Sequence, residues 1–275
     1  MPDDSARRDA LGVVHPIAQT GARIVSLVPS LTELLFTLDL GPLIVGRTGF
    51  CIHPRDAVRR VPKVGGTKDV ALDKVRALAP THLVVNIDEN RRETVDALAG
   101  EVAHVIVTHP LWPDDNLYLY RMFGEIFDRR REAAALAARY VAAREALLAA
   151  MAGVPDEAVL YLIWRDPWYT VARSTYVSAM LALARWHTVP AVSALRYPKL
   201  ADDAPAWREA ERILLSTEPY AFNERDANAL AATLASGGHG APVTLIDGAM
   251  TSWYGSRAIA GLDYLAQLRR SLVRR

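Results

Sequence analysis

A long helical pattern in the middle of the chain constrains the fold more than any other feature. Within Asn116–Met151 apolar residues recur at steps of three and four, the period of one helix face. Asp114 and Asp115 can cap its start, and Gly153 and Pro155 follow its end. A continuous helix here would extend ~54 Å at about 1.5 Å per residue. We predict that this helix is a stiff connector between two lobes. A break in the helix would count against the two-lobe hypothesis. The alternative is two ordinary helices with a break between them.

Short β-branched runs alternate with helical patterns on both sides of this connector. Arg23–Val28 and His82–Asn86 precede it, and Ala158–Trp164 and Val243–Asp247 follow it. Such alternation is typical of parallel sheets with helices on both faces. The sequence therefore predicts an α/β fold, with residues 1–21 as a loose lead-in.

The two halves of the chain echo each other. Leu72–Asn86 and Trp207–Asn223 are both predicted as helix, break, strand and Asn, which indicates a weak internal duplication. We predict an N-terminal α/β lobe over 22–112, a connecting backbone helix over 113–153 and a C-terminal α/β lobe over 154–275. Two lobes leave a cleft, and ligands favour clefts and the carboxyl ends of parallel strands.

Composition excludes several functional classes. Hydrophobic residues make up 51% of the 275 and charged residues 23%, which favours a packed core over disorder. The net charge of +1 gives no general attraction to nucleic acid. No apolar stretch approaches the roughly 18 residues of a membrane span. The first 23 residues lack the apolar segment of a secretory signal, which predicts a cytoplasmic protein.

The loop after a short predicted strand at Leu43–Val45 carries the first candidate site. Cys51 and His53 stand two residues apart, and both side chains are metal ligands, although structural zinc needs four. A Cys–His nucleophilic pair is a second interpretation, without an evident acid nearby to orient the histidine. A buried thiol beside a histidine that holds backbone groups is the third. Cys51 is the single cysteine, so no internal disulfide is expected.

A second loop, Gly65–Gly66–Thr67–Lys68, invites comparison with a phosphate-binding loop. It lacks the GxxxxGK[ST] order of that motif, so we favour a tight turn that lines a pocket. Gly66, Thr67 and Lys68 are then candidate ligand contacts. Asn86 and Glu89, at the end of the next predicted strand, are further polar candidates.

Large aromatic side chains occupy the predicted loops at strand ends. Such a set suits a broad, flat, partly apolar ligand, and cationic side chains would meet its carboxylates or phosphate. For Trp112 and Trp164 the alternative is core packing. The aromatic candidates are Phe50, Trp112, Trp164, Trp168, Tyr169, Trp253 and Tyr254. The cationic candidates are Arg47, Lys68, Arg165 and Arg257.

Three segments carry a resemblance to a known family. They are RIVSLVPSLTELLFTLDLGPLIVGRT (residues 23–48), VPKVGGTKDVALDKVRALAPTHLVVN (61–86) and WYGSRAIAGLDYLAQL (253–268). Together they resemble the class III substrate-binding proteins of ABC importers, which take vitamin B12, ferric siderophores or haem. Thr81 and His82 depart from the family's usual acidic step.

The resemblance implies two Rossmann-like lobes, one long helix joining them and a ligand held in the cleft between them. It also implies that Asp73 lies near the family's docking residue for its membrane partner. The loop FCIHP resembles a subgroup in which Cys51 or His53 would ligate the metal of the bound complex. The residues that would line the cleft by position are Phe50, Gly66, Trp164, Trp168 and Trp253.

The expected function is non-catalytic binding of a metal chelate: a cobalamin or other corrinoid, haem or a ferric siderophore. No resident cofactor is required, and an ABC transporter permease is the expected partner if the protein is exported. The missing export signal departs from the family pattern. The alternative is therefore a cytoplasmic enzyme or metal-handling protein that acts on such a ligand through Cys51 and His53, with Glu89 nearby. A third hypothesis is an interaction module that has lost its ligand.

Overall fold

The computed structural model describes residues 4–273, so Arg274 and Arg275, at the end of the predicted C-terminal lobe, lie outside the described residues. The chain divides into two compact units. Unit 1 contains the residues up to Pro110 together with Asp114–Tyr140 and Tyr254–Arg257. Unit 2 contains Leu111–Pro113, Val141–Trp253 and the residues from Ala258 onward.

Unit 1 is built on a four-stranded parallel sheet in the order β2-β1-β3-β4. Its strands are β1 (Ile24–Ser26), β2 (Ile44–Arg47), β3 (His82–Asn86) and β4 (His104–Thr108). Its helices are α1 (Pro29–Thr37), α2 (Arg55–Val58), α3 (Leu72–Ala77), α4 (Arg92–Ala99) and α5 (Asp115–Ile126). Side chains on one face of the sheet, among them Val25, Leu83 and Val85, form a buried core with the helices. The predicted parallel α/β order is confirmed here.

The start of the chain is an ordered part of unit 1, so the predicted loose lead-in is wrong for its described residues. A short 3-10 helix, Asp4–Arg7, is followed by a bridge between Arg8 and Val14. The Asp9 carboxylate, itself buried, accepts hydrogen bonds from the backbone N–H groups of Leu11 and Val13, each at 2.9 Å. The mixture of acidic and basic residues at the start of the chain predicted a solvated segment. The sequence does not show that one of these carboxylates, that of Asp9, accepts the hydrogen bonds that order the turn.

The predicted single connector, Asn116–Met151, is two helices. Helix α5 ends at Ile126, and the next helix, α6, comprises Arg130–Ala150. Between them Asp128 adopts φ 53°, a left-handed conformation that ends a helix and that Asp tolerates better than most residues. A Cβ on Gly124 would lie 2.6 Å from the Cβ of Ala133, so glycine permits the close approach of the two helices.

The 21-residue helix α6 is therefore the one long helix that carries the chain from unit 1 into unit 2. Its residues up to Tyr140 belong to unit 1, and those from Val141 belong to unit 2. The apolar period runs through α5 and α6 alike, which is why the break does not interrupt the sequence pattern. The signal that it breaks is Asp128 together with Gly124.

Unit 2 is built on a mixed sheet in which β5 is paired with β6, β7 and β8, and β8 with β9. The β5–β6 pair is antiparallel and the other pairs are parallel. The strands are β5 (Glu157–Trp164), β6 (Tyr169–Thr170), β7 (Trp186–Thr188), β8 (Arg212–Ser216) and β9 (Val243–Ile246). The helices are α7 (Tyr176–Leu183), α8 (Ala206–Glu209), α9 (Glu224–Ser236), α10 (Gly248–Ser252) and α11 (Arg257–Val273).

The predicted repeat is misaligned in unit 2. Within Trp207–Asn223 the strand is β8, which precedes Pro219, whereas the prediction placed a helix there and a strand after the proline. Ile213, Leu214 and Leu215 are fully buried in the interior of the sheet. A strand buried on both faces gives a continuous apolar run, and its period cannot be told from that of a buried helix.

An ion network at the beginning of β5 ties α11 to the sheet of unit 2. The Glu157 carboxylate pairs with Arg269 and with Arg212 (2.9 Å), and it accepts a hydrogen bond from the Trp186 indole (2.8 Å). The Arg269 guanidinium is buried, lies over the Trp186 ring and also donates to the carbonyl of Pro155 (2.8 Å).

Within the described residues, no helix has the length and hydropathy needed to cross a membrane.

Replacing Arg269 tests how strongly this network holds the end of the chain. Arg269→Met keeps the apolar length of the side chain but removes one of the two cations paired with the partly buried Glu157, which retains Arg212, so we expect a loss of about 1.5–3 kcal/mol in the free energy of unfolding. The neighbouring exposed Arg270→Met is the matched control and is expected to change it by less than about 0.5 kcal/mol. Urea denaturation measures both, and equal losses in the two variants would contradict the assignment.

Candidate functional site

The carboxyl ends of the four parallel strands of unit 1 meet at one edge of its sheet, which we call the unit 1 rim. It comprises the residues that follow β1, β2, β3 and β4, together with the Gly65–Lys68 turn. The turn is attached to the loop after β2, because the Gly49 N–H donates to the carbonyl of Gly65 at 2.7 Å. Gly65 has φ 111°, and a Cβ there would lie 2.4 Å from the Asp69 carbonyl oxygen, so this position requires glycine.

Two buried asparagines organise the rim. The Asn90 amide donates to the carbonyls of Leu27 (3.2 Å) and Thr67 (3.1 Å), and its oxygen accepts from the Asn86 N–H (2.9 Å). The Asn86 oxygen accepts from the backbone N–H groups of Asp88 and Glu89. The predicted ligand contact Asn86 therefore uses its side chain to shape the loop that carries Glu89. Asn90, which the sequence did not single out, joins three segments of the rim.

Cys51 lies beneath the rim. Its side chain is 0% exposed, and its sulfur contacts the hydroxyls of Thr32 and Thr48, each at 3.1 Å. Burial raises the pKa of the Cys51 thiol, which outweighs the hydrogen bonds from the two threonines. This is the environment of an inert, protonated thiol. His53 follows it as a half-buried residue just before α2.

Among residues 4–273, no group of three or more His, Cys, Asp or Glu side chains is arranged to hold a metal ion. The assignment of Cys51 and His53 as ligands to the metal of a bound chelate stays a prediction. The burial of Cys51 favours His53 of the two.

Apolar side chains are exposed at the unit 1 rim. Phe50 is 63% exposed, and Ile52 and Ile87, which the sequence did not single out, are also exposed, in the loops after β2 and β3. A Cβ on Gly66 would lie 3.4 Å from the Phe50 ring, so the ring lies next to the turn. The available signal was position: Ile87 directly follows β3, and Ile52 lies in the loop after β2.

The cationic and acidic groups of this rim are partly paired. The Lys68 ammonium donates to the carbonyl of Asp88 at 2.7 Å, and Nε2 of His109 lies 3.6 Å from the Asp88 carboxylate. Arg47, predicted as a ligand cation, is buried and donates to the carbonyls of Val61 and Thr48. Its role in unit 1 is to fasten the loop after β2.

Two predicted ligand contacts near the end of the chain belong to unit 1 and are engaged there. The buried Tyr254 hydroxyl donates to the Glu89 carboxylate at 2.5 Å. Burial, reinforced by the charge of Glu89, raises the pKa of Tyr254 well above its ordinary value, so the phenol stays protonated. Arg257 makes a two-pronged ion pair with Glu33 at 2.6 and 2.8 Å. These three predicted site residues, Glu89, Tyr254 and Arg257, therefore stabilise the rim of unit 1.

In unit 2, Trp164 stands at the carboxyl end of β5. It is 42% exposed and meets the Tyr220 ring edge to face at 5.5 Å, so the core-packing alternative does not describe it. Trp112 is exposed as well. Trp168 instead packs on the core, with Trp207 at 5.7 Å and Phe222 stacked at 6.1 Å.

Arg165 and Trp253 complete the predicted contacts of unit 2. Arg165 pairs with Asp226 (2.8 Å) and Asp166 (3.0 Å), and with Trp168 it lines a surface cavity of about 340 Å³. The Trp253 indole donates to the Glu218 carboxylate at 2.8 Å. Within each unit, the structure thus brings the predicted residues to or beneath one sheet edge.

The reactivity of Cys51 tests whether the thiol is available for chemistry. We expect the native protein at pH 8 to react with an aromatic disulfide reagent more than about 100-fold slower than the same protein in urea, because the sulfur is buried and protonated. Ser174→Cys, at an exposed position of unit 2, is the control and should add one rapidly reacting thiol. Rapid labelling of the native wild type would contradict the buried assignment and restore the nucleophile interpretation.

The fold and the two strand-end surfaces are those of a two-lobe ligand-binding protein. Residues 24–233 match the family described as periplasmic binding protein, and the chain belongs to that family. The resemblance predicted from the three sequence segments is confirmed.

Similar proteins agree with this family. The chain is 34% identical over 96 residues to the uncharacterized ABC transporter substrate-binding lipoprotein YvrC of Bacillus subtilis (strain 168), a match that covers 35% of this chain and 28% of that protein. The periplasmic vitamin B12 binding protein BtuF of Vibrio cholerae superposes with a TM-score of 0.79 at 15% identity, covering 92% of this chain and 98% of that one. The periplasmic heme-binding protein RhuT of Roseiflexus sp. RS-1 gives 0.77 at 20% identity, covering 91% and 98%.

Proposed function

We propose that this protein binds a metal-chelate ligand (a cobalamin or other corrinoid, haem or a ferric siderophore) without transforming it, as the receptor of an ABC importer. The observation that carries the proposal is the family match across residues 24–233. Solved structures with the same fold are named as vitamin B12 and heme binding proteins, which supports the proposed ligand class.

The unit 1 rim supports an apolar, flat ligand. Phe50, Ile52 and Ile87 together expose ring and aliphatic surface where the strands end. Exposed apolar groups clustered beside polar ones are typical of a binding site, since burying them against a ligand removes apolar surface from water. Trp164 offers a comparable surface at the strand ends of unit 2. Porphyrin and corrin macrocycles, and the aromatic rings of catecholate chelates, have planar apolar faces that could pack against such surfaces.

The alternative, an enzyme acting through Cys51 and His53, is less well supported. A nucleophilic cysteine needs its thiolate and access to substrate, whereas the Cys51 sulfur is buried and its pKa is raised. Binding without catalysis requires neither.

The expected partner is an ABC transporter permease. Asp73, which the family resemblance places near a docking residue, has a side chain that is 97% exposed at the start of α3, where it pairs with Arg76 at 3.1 Å. The family description and the lipoprotein relative lean against the cytoplasmic location expected from the sequence. We therefore propose that the protein works outside the inner membrane.

A binding panel tests the ligand class. Hydroxocobalamin, haemin and a ferric catecholate siderophore are each titrated into the protein, and tryptophan quenching and the ligand absorption bands are followed. We expect one class to bind with a 1:1 stoichiometry and to be recovered unchanged by mass spectrometry. Absence of binding by all three, or conversion of the ligand, would contradict the proposal.

Variants of the unit 1 rim locate the ligand. Phe50→Ala removes an exposed ring and is expected to weaken binding about 10-fold or more, because roughly 1.5–3 kcal/mol of apolar contact is lost. Leu11→Ala, at an exposed apolar position elsewhere in unit 1, is the control and should leave affinity unchanged. His53→Ala asks separately whether the imidazole ligates the metal: a shift of the bound ligand's absorption bands supports ligation, and identical spectra and affinities exclude it.

A further inference from the structure

The first residues of the chain cover the outer edge of the unit 1 sheet. We call residues 7–18 the N-terminal strap. Strand β4 is at the end of the sheet order, so one side of it has no partner strand within residues 4–273. The strap contacts that side: the Ala10 N–H donates to the carbonyl of Val107 (2.9 Å), and the Val107 N–H donates to the Asp9 carboxylate (3.1 Å). The Ala18 N–H donates to the carbonyl of Ile126 at the end of α5 (2.7 Å).

A contact between two buried side chains of the strap, His15 and Asp9, holds it in its closed conformation. Nε2 of His15 lies 3.2 Å from the Asp9 carboxylate, and both side chains are buried. The His15 N–H donates to the carbonyl of Arg7 (3.0 Å), and the Arg7 guanidinium donates to the carbonyl of His15 (2.8 Å). His15 therefore joins the two halves of the strap, through its backbone contacts with Arg7 and its side-chain contact with Asp9.

His15 also belongs to a cluster of three histidines. His82 and His104 begin β3 and β4 and are directly paired in the sheet register. Their rings lie 4.8 Å apart, and the rings of His15 and His104 lie 6.3 Å apart. His82 is buried: its Nδ1 meets the Thr81 hydroxyl at 2.8 Å, and its Nε2 has no hydrogen-bond partner in the described part of the chain.

The charged groups that face this cluster come from the strap and from the residues before the strands. Asp9 is the carboxylate in contact with it, through His15. Arg7 is paired with Asp4, and the Arg23 guanidinium donates to the carbonyls of Leu78 and Ala79. The end of α5 contributes the uncharged Phe127 ring, 5.0 Å from the ring of His82. One carboxylate cannot neutralise three imidazolium rings, so full protonation would place like charges together in a buried site.

We propose that this histidine cluster makes the N-terminal strap an acid-released cover for the β4 edge, closed at neutral pH and opening in mildly acidic solution before unit 1 unfolds. The proposal does not depend on which ligand the protein binds.

The direction of the pH dependence follows from the protonation of the cluster. Burial, then the neighbouring charges of His104 and His15, lowers the pKa of His82 to about 4, and burial also lowers that of His104. If opening the strap exposes these rings to water, the closed strap binds fewer protons than an open one, and its stability is then complete above about pH 6.5 and is lost as pH falls toward 4. If opening restores the pKa of His82 from about 4 to its ordinary 6.5, the opening constant rises roughly 30-fold between pH 7.5 and 5.

Asp9 does not release the strap in this range. Burial works against its ionisation, but the hydrogen bonds from His15 and from the N–H groups of Val107, Val13 and Leu11 prevail, and the pKa of Asp9 lies below its ordinary value. The carboxylate stays charged until the pH falls below that of the expected transition.

Hydrogen exchange followed by mass spectrometry tests the proposal on the full chain. Protection factors, corrected for the intrinsic pH dependence of exchange, are compared at pH 7.5 and 5 for peptides covering the strap, β3 and β4. We expect the strap amides to lose protection by roughly 30-fold, while the β3 amides retain theirs. Equal protection of the strap at the two pH values would overturn the proposal, and so would simultaneous loss in β3, which indicates global unfolding.

Variants distinguish the cluster from a general acid effect. His82→Leu keeps a buried apolar side chain beside Phe127 and removes the titrating ring, so the strap should keep its protection at pH 5. His187→Leu, at a half-exposed histidine of unit 2, is the matched control and should behave like the wild type. If His82→Leu fails to fold, His104→Gln serves instead and should reduce the pH dependence. A wild-type response in both cluster variants would refute the assignment.

Discussion

The parallel pairing of strands is the constraint on which the rest of this structure depends. A parallel strand must be followed by a crossover, so every loop that leaves the carboxyl end of β1 to β4 emerges at one edge. Such loops carry backbone polar groups that would be costly to bury alone. In unit 1 the amides of Asn86 and Asn90 meet this need by bonding loop carbonyls and N–H groups. A rigid rim results, on which the exposed rings and aliphatic groups are presented.

The same constraint explains why binding residues and supporting residues are mixed in sequence. Phe50 and Cys51 are neighbours, yet the ring is exposed and the sulfur is buried. Tyr254 and Trp253 are neighbours too, and they belong to different units, with different carboxylate partners. Residue type and loop position therefore identify the region of a site. Whether a polar side chain in these loops is buried depends on whether the protein supplies it with a hydrogen-bond partner.

Much of the fold could be predicted from the sequence, because short β-branched runs and helical periods are local signals. The bounds of β3 were predicted to the residue, and the family was identified from its segments. The break at Asp128 and the strand β8 were missed, since one depends on a single backbone conformation and the other on burial from both faces. The two-unit division did not need an unbroken connector: the chain passes from unit 1 into unit 2 within α6, after the break.

The candidate site was predictable as a set of loops but less so as a set of contacts. Phe50 and Trp164 are exposed as a ligand contact must be, whereas Asn86, Tyr254 and Arg257 are engaged by the protein itself. The sequence does not reveal such internal partners, because Glu33 and Arg257 are distant along the chain. Ile52 and Ile87 were overlooked because a lone aliphatic residue in a loop is ordinary in a sequence.

The enclosed position of Cys51 has a practical consequence for spectroscopy. A protein whose native sulfur is out of reach of probes provides a silent background, so a single cysteine introduced at an exposed site can carry a fluorophore or spin label without prior removal of the natural residue. Paired labels, one on each unit, would then report distances in solution and how they change when a ligand arrives.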